Sequence, residues 1–126
     1  MRLRLFALLL VANVGLAVTR AGGAVDSQWS EVVRAEEGDC TLTVTGNGKA
    51  YRIAATGLGS GAQGRYRLSN GDMVPIDWTI RADGEGEFAR YYLPFRWHRR
   101  GGTVAVEVAT PRCTISAAFE WVRASA

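Results

Sequence analysis

The chain has 126 residues, with one histidine, two cysteines, three prolines and a single lysine, Lys49, among its fifteen basic side chains. Each scarcity excludes something. A serine or cysteine triad would have to use His98, and no GxSxG string is present. Two thiols without a histidine cluster do not make a zinc site, and Cys40 and Cys113 are spaced nothing like CxxC. No metal, cofactor or catalytic residue is therefore assigned, and a hydrolase finds no motif to rest on. Nor is there an apolar run of the roughly twenty residues that a membrane-spanning helix needs.

What the chain does have begins at its N-terminus. Arg2 and Arg4 precede an apolar run, Leu5 to Val18, and small residues follow at Ala21-Gly22-Gly23-Ala24. That order is the pattern of a secretory signal peptide over residues 1–24, cut after Ala24, or else after Ala17 or Ala21, with an uncleaved anchor as the alternative. It predicts a product in the periplasm or outside the cell. Arginine in place of lysine, with abundant Ala and Gly, suits a GC-rich bacterial genome. Arg2, Arg4 and Arg20 would leave with the leader, so twelve basic residues face twelve acidic ones in residues 25–126. Net charge then gives no reason to expect nucleic acid as a partner.

About a hundred residues make one domain with one core. In an oxidising compartment Cys40 and Cys113 are most simply a disulfide. Period-two alternation runs through most of residues 25–126, as half-buried strands require. Leu42 and Val44 alternate with threonines; Val74, Ile76, Trp78 and Ile80 share one face; so do Val104, Val106 and Val108. In the last segment Cys113, Ile115, Ala117, Phe119 and Trp121 line up. Shorter strands fit 50–56 and 65–69, and 27–34 reads as a bulged first strand, although Trp29, Val32 and Val33 also suit a helix face. Asn47-Gly48, Asn70-Gly71 and Asp83-Gly84 are hairpin-turn signals. The sum is an all-β chain: an antiparallel β-sandwich of about seven or eight strands.

The run IRADGEGEFARYYLPF…GGTVAVEV resembles the late strands of bacterial immunoglobulin-like and fibronectin-type-III-like domains, and TVTGNGKAYRIAATGLGSG is similar to their early ones. The resemblance implies an immunoglobulin-like scaffold and no activity of its own.

The stretch RYYLPFRWHRR, Arg90 to Arg100, is the densest in chemistry. Alternation assigns Tyr91, Leu93, Phe95 and Trp97 to the core. It leaves Arg90, Tyr92 and Arg96 on the outer face, followed by a loop carrying His98, Arg99 and Arg100. Arg and Tyr are side chains that binding hot spots favour, so these six are the candidate binding residues. Trp29 joins them as the tryptophan not assigned inward, able to stack on a sugar. An acidic counterpart, Asp26, Glu31, Glu36, Glu37 and Asp39 against Arg34, could pair with the basic loop within one molecule or between two. The string Gly59-Ser60-Gly61-Ala62-Gln63-Gly64 matches GxGxxG, but a strand follows it and no helix, so it reads as a loop. The expected function is a non-catalytic protein-interaction module of the bacterial periplasm or envelope. Its expected partner is another envelope or secreted protein; polysaccharide binding and a purely structural envelope role are the alternatives.

Overall fold

The computed structural model describes residues 28–123. The leader over 1–24, its cleavage point and Asp26 lie outside the described residues. The chain divides into two units, residues 1–30 and 31–126, and the second carries the fold.

Threonine alternating with apolar residues makes β2 (Cys40–Gly46) a strand with one dry face: Leu42 and Val44 are fully buried. Before it runs β1 (Ser30–Glu37), the strand alternative for this segment. After it come β3 (Tyr51–Thr56), β4 (Gln63–Asn70), β5 (Ile76–Arg81), β6 (Phe88–Tyr92), β7 (Gly101–Ala109) and β8 (Thr114–Val122). They form two four-stranded sheets, ordered β1-β2-β3-β6 and β5-β4-β7-β8, and the strand pairings are antiparallel. The described residues contain no α-helix, and the molecule is a β-sandwich. One sheet contributes Leu42, Val44, Tyr51, Ile53 and Ala55 to the core; the other contributes Tyr66, Leu68, Val104, Val106, Val108, Ile115, Phe119 and Trp121. Burying one such aliphatic or aromatic side chain is worth about 1.5–3 kcal/mol.

Cys40 and Cys113 are bridged, with their Cα atoms 6.5 Å apart. The bridge joins the start of β2 to the residue before β8, and so clips one sheet to the other. Because strand direction alternates, the connections gather at two ends. At the disulfide end lie 38–39, 57–62, 82–87 and 110–113, knitted by Leu58 N–H to Gly86 O at 3.0 Å and Gly61 N–H to Asp83 O at 2.9 Å. At the opposite end lie 47–50, 71–75 and 93–100, with Arg123 beneath the last.

Several expectations are corrected. Tyr91, Leu93 and Trp97 are 67%, 66% and 81% exposed, not core. The β3–β6 register explains Tyr91: Phe88, Arg90 and Tyr92 stand opposite buried Ala55, Ile53 and Tyr51, so the even positions face inward. Beyond Tyr92 the strand stops, because Leu93 leads into Pro94, which has no N–H to give a ladder. Leu93 and Trp97 thus never belonged to the alternating frame. Phe95 alone of that set packs inward, edge-on to Trp121 with centroids 5.6 Å apart. Val74 is 89% exposed, since β5 begins only at Ile76. Trp78 is on the inner face, opposite Tyr66, yet 40% exposed because β5 is an edge strand. The Asp83-Gly84 segment is a turn that crosses between sheets instead of closing a hairpin. The Asp83 carboxylate accepts N–H bonds from Glu85 and Glu87, both at 2.9 Å, which curls the chain across.

The GxGxxG string is demanded by the fold. Gly59 has φ +102°, and a Cβ on Gly64 would stand 2.3 Å from the Ala109 carbonyl oxygen where β4 meets β7.

Candidate functional site

The end opposite the disulfide is built around Asn70, the last residue of β4 and 3% exposed. Its partners fix its orientation, since an indole N–H only donates and a carbonyl only accepts. Trp121 Nε1–H donates to Asn70 Oδ1 at 3.2 Å, and Asn70 Nδ2 donates to Pro94 O at 2.9 Å and to the Tyr92 hydroxyl at 3.1 Å. This buried amide thereby anchors the root of loop 93–100 to both sheets.

The rest of the loop is held by charge. Arg96 Nη1 donates to Asp72 Oδ1 at 2.8 Å, and Arg99 Nη2 lies 3.5 Å from Asp72 Oδ2. The hydrogen bond from Arg96, then the charges of Arg96 and Arg99, hold the Asp72 carboxyl below the usual carboxylate range. From below, Arg123 donates its backbone N–H to Arg100 O at 2.7 Å, its Nε to Arg99 O at 3.2 Å, and its Nη2 to Arg96 O. His98 adopts φ +67°, the left-handed region, and its ring meets that of Trp97 edge-on at 5.4 Å. That turn throws Trp97 outward.

Lys49, Arg96, Arg99, Arg100 and Arg123 thus gather at this end, in connections whose carboxylate is Asp72. Exposed among them are Met73, Val74, Leu93 and Trp97. A hollow of about 250 Å³ opens between Gly48, Lys49, Phe95 and Arg123, its rim positive and its wall aromatic. The disulfide end has the opposite sign: Glu37, Asp39, Asp83, Glu85 and Glu87 outnumber Arg81 and Arg112.

Of the residues selected from sequence, Arg96, His98, Arg99 and Arg100 come together here. Tyr92 and Arg90 do not face outward as assigned. Tyr92 is half-buried with its hydroxyl on Asn70, and the Arg90 guanidinium lies 4.1 Å over the Trp78 ring at the open side of the sandwich. A long arginine on an inner edge can place its charge in water while its stem stays dry. Trp29 is half-exposed and belongs to the first unit. The acidic residues selected with it split apart. Glu31 pairs with Arg34 at 2.9 Å, whereas Glu37 Oε1 accepts the Thr114 N–H at 3.1 Å, at the disulfide end. Glu37 and Asp39 therefore cannot close on the basic loop of their own molecule.

Sequence reasoning missed Trp97, Asp72, Lys49 and Arg123. Pro94 was the available signal for Trp97: a strand that must stop at Tyr92 cannot dictate the face of residue 97. Among the described residues no three His, Cys, Asp or Glu side chains gather to hold a metal ion, and there is no helix long and apolar enough to cross a membrane. The chain matches no protein-family model, no curated protein and no solved structure.

Proposed function

We propose that this protein is an exported, non-catalytic interaction module on an immunoglobulin-like scaffold, and that its Asn70 end binds an acidic surface of another envelope or secreted protein. The observation that supports it most is the coincidence, on one rigidly held loop cluster, of clustered cations with a protruding Trp97 and Leu93. Tryptophan and arginine are the side chains on which interface energy concentrates. Sandwiches present such loops at the ends of their sheets, where sequence can vary without disturbing the core. Lys49 and Arg123, flanking the hollow beside Phe95, offer a carboxylate side chain two charge-assisted donors.

The test is a tryptophan-fluorescence titration with a synthetic Glu/Asp-rich peptide containing one aromatic residue. Quenching should weaken steeply from low to physiological salt, because the charges are exposed and the Debye length falls to about 8 Å. Arg99→Ala/Arg100→Ala should abolish it while leaving stability within about 0.5 kcal/mol. Quenching by neutral polysaccharides that ignores both salt and that double change would replace this reading with glycan binding on Trp97.

A further inference from the structure

Four strands lie at sheet edges: β1, β6, β5 and β8. An exposed edge offers unpaired N–H and C=O groups to any other strand, and proteins usually blunt it with charge, proline or an inward-pointing ionic residue. Three of these edges are blunted. Glu31, Arg34, Glu36 and Glu37 crowd β1; Arg90 points inward from β6, and Pro94 follows it; Pro75 precedes β5, where Asp77 is tied to Arg65 and Arg67. The fourth is not. Strand β8, Thr-Ile-Ser-Ala-Ala-Phe-Glu-Trp-Val, is nine residues long, holds no proline or glycine, and has Glu120 as its one charge.

Its outward groups can be identified. Thr110 N–H donates to Cys113 O at 2.8 Å and Arg123 N–H to Arg100 O at 2.7 Å, which sets the phase of the β7–β8 ladder. Ile115, Ala117, Phe119 and Trp121 therefore bond to β7, and Thr114, Ser116, Ala118, Glu120 and Val122 aim their backbone groups away from it. The Glu37 carboxylate on the Thr114 N–H agrees with that phase. No described strand pairs with Ser116 to Val122 on that side.

We propose that the occupant is a second copy of this chain, its β8 antiparallel to the first about a two-fold axis at Ala118. Three features favour a copy of itself. This register pairs the free part of the edge, setting Ser116 opposite Glu120 and Ala118 opposite its counterpart, and brings Val122 opposite Thr114, whose outward N–H the Glu37 carboxylate already holds. An axis at Glu120 would instead place like charges face to face. Small side chains at Ser116, Ala117 and Ala118 let two backbones approach. Finally, the antiparallel arrangement lays the basic end of each copy beside the acidic end of the other, bringing Glu37 alongside the Val122–Arg123 end of its mate. Charge segregation that cannot be satisfied within one molecule is satisfied between two. The two loop clusters then point in opposite directions, both accessible.

Sedimentation velocity on the intact chain should show a concentration-dependent dimer that weakens with salt. In wild type, the amides of Ala118 and Glu120 should become slower to exchange as concentration rises. The exposed Ala118 side chain permits a charge test. Ala118→Lys and Ala118→Glu alone should each dissociate the dimer about fivefold more readily, and an equal mixture should recover it as a heterodimer. Ala118→Pro removes an outward N–H without breaking the β7 ladder and should also yield monomer, with the melting temperature confirming the fold. A monomer at every concentration overturns the proposal. So does a dimer indifferent to both charge changes, or one whose Ala118 amide exchanges at the same rate at all concentrations.

Discussion

Replacing Asn70 by alanine isolates the contact on which the loop cluster depends. Its amide has three partners, of which two, the Trp121 indole N–H and the Pro94 carbonyl, would be stranded in a site where Asn70 itself is 3% exposed. A buried donor or acceptor left unpaired costs about 1–3 kcal/mol. Tyr92 is half-buried and can turn its hydroxyl to water, so we count only the other two. The expected loss is about 3 kcal/mol. For a domain of this size, each kcal/mol lowers the melting temperature by about 4–8 °C, so the drop should exceed about 12 °C. Asn70→Asp separates the contributions: its carboxylate still accepts from Trp121 but opposes the Pro94 carbonyl with a second acceptor. It should be destabilised at neutral pH, where burial beside a carbonyl disfavours the carboxylate, and improve on acidification, as protonation restores a donor. Urea denaturation followed by tryptophan fluorescence reads both variants. A change within about 0.5 kcal/mol for Asn70→Ala would show that water replaces the amide and that the loop is not held as described.

Reduction of Cys40–Cys113, whose separation is 73 residues, releases a long closed loop and should lower stability by about 4 kcal/mol on the chain-entropy account. Paired urea curves with and without reductant measure it, and coincident midpoints would deny the bridge any constraining role. Burial pushes the Tyr66 hydroxyl up from 10.0 to about 12. Its folded value is raised, so the stability it contributes is whole below about pH 10 and drains away as pH climbs toward 12. Stability measured against pH, with tyrosinate absorbance alongside, should show that decline, and Tyr66→Phe should flatten it.

The strands were legible because their physics is local. Threonine against Leu42 and Val44, or valine at 104, 106 and 108, declares a face without reference to any neighbour. The Asn47 turn was equally local: its side chain accepts N–H bonds from Lys49 and Ala50, both at 2.9 Å, and closes the β2–β3 hairpin. The candidate site was only partly legible, because its decisive features are pairings. Whether Arg90 or Tyr91 faces inward depends on opposition to Ile53 or Arg52, more than thirty residues away. Both frames of β6 offer aromatics, so composition could not arbitrate. Asn70 was readable as a turn residue. Nothing in its neighbourhood announced that its amide would meet Trp121 and Pro94. Arg90 misled by the same logic: an inward arginine is tolerated only where a sheet ends, and sheet edges are a property of topology.

The position of Arg123 has a practical consequence. Its backbone and guanidinium both reach carbonyls of loop 93–100, so the polypeptide leaves the sandwich beside the very surface proposed to recognise a partner. An affinity tag or fluorescent fusion joined on the Arg123 side would therefore set out from beside that surface. A probe inserted at Gly84 would report on the molecule from the remote pole, where a Cβ meets nothing within 4 Å.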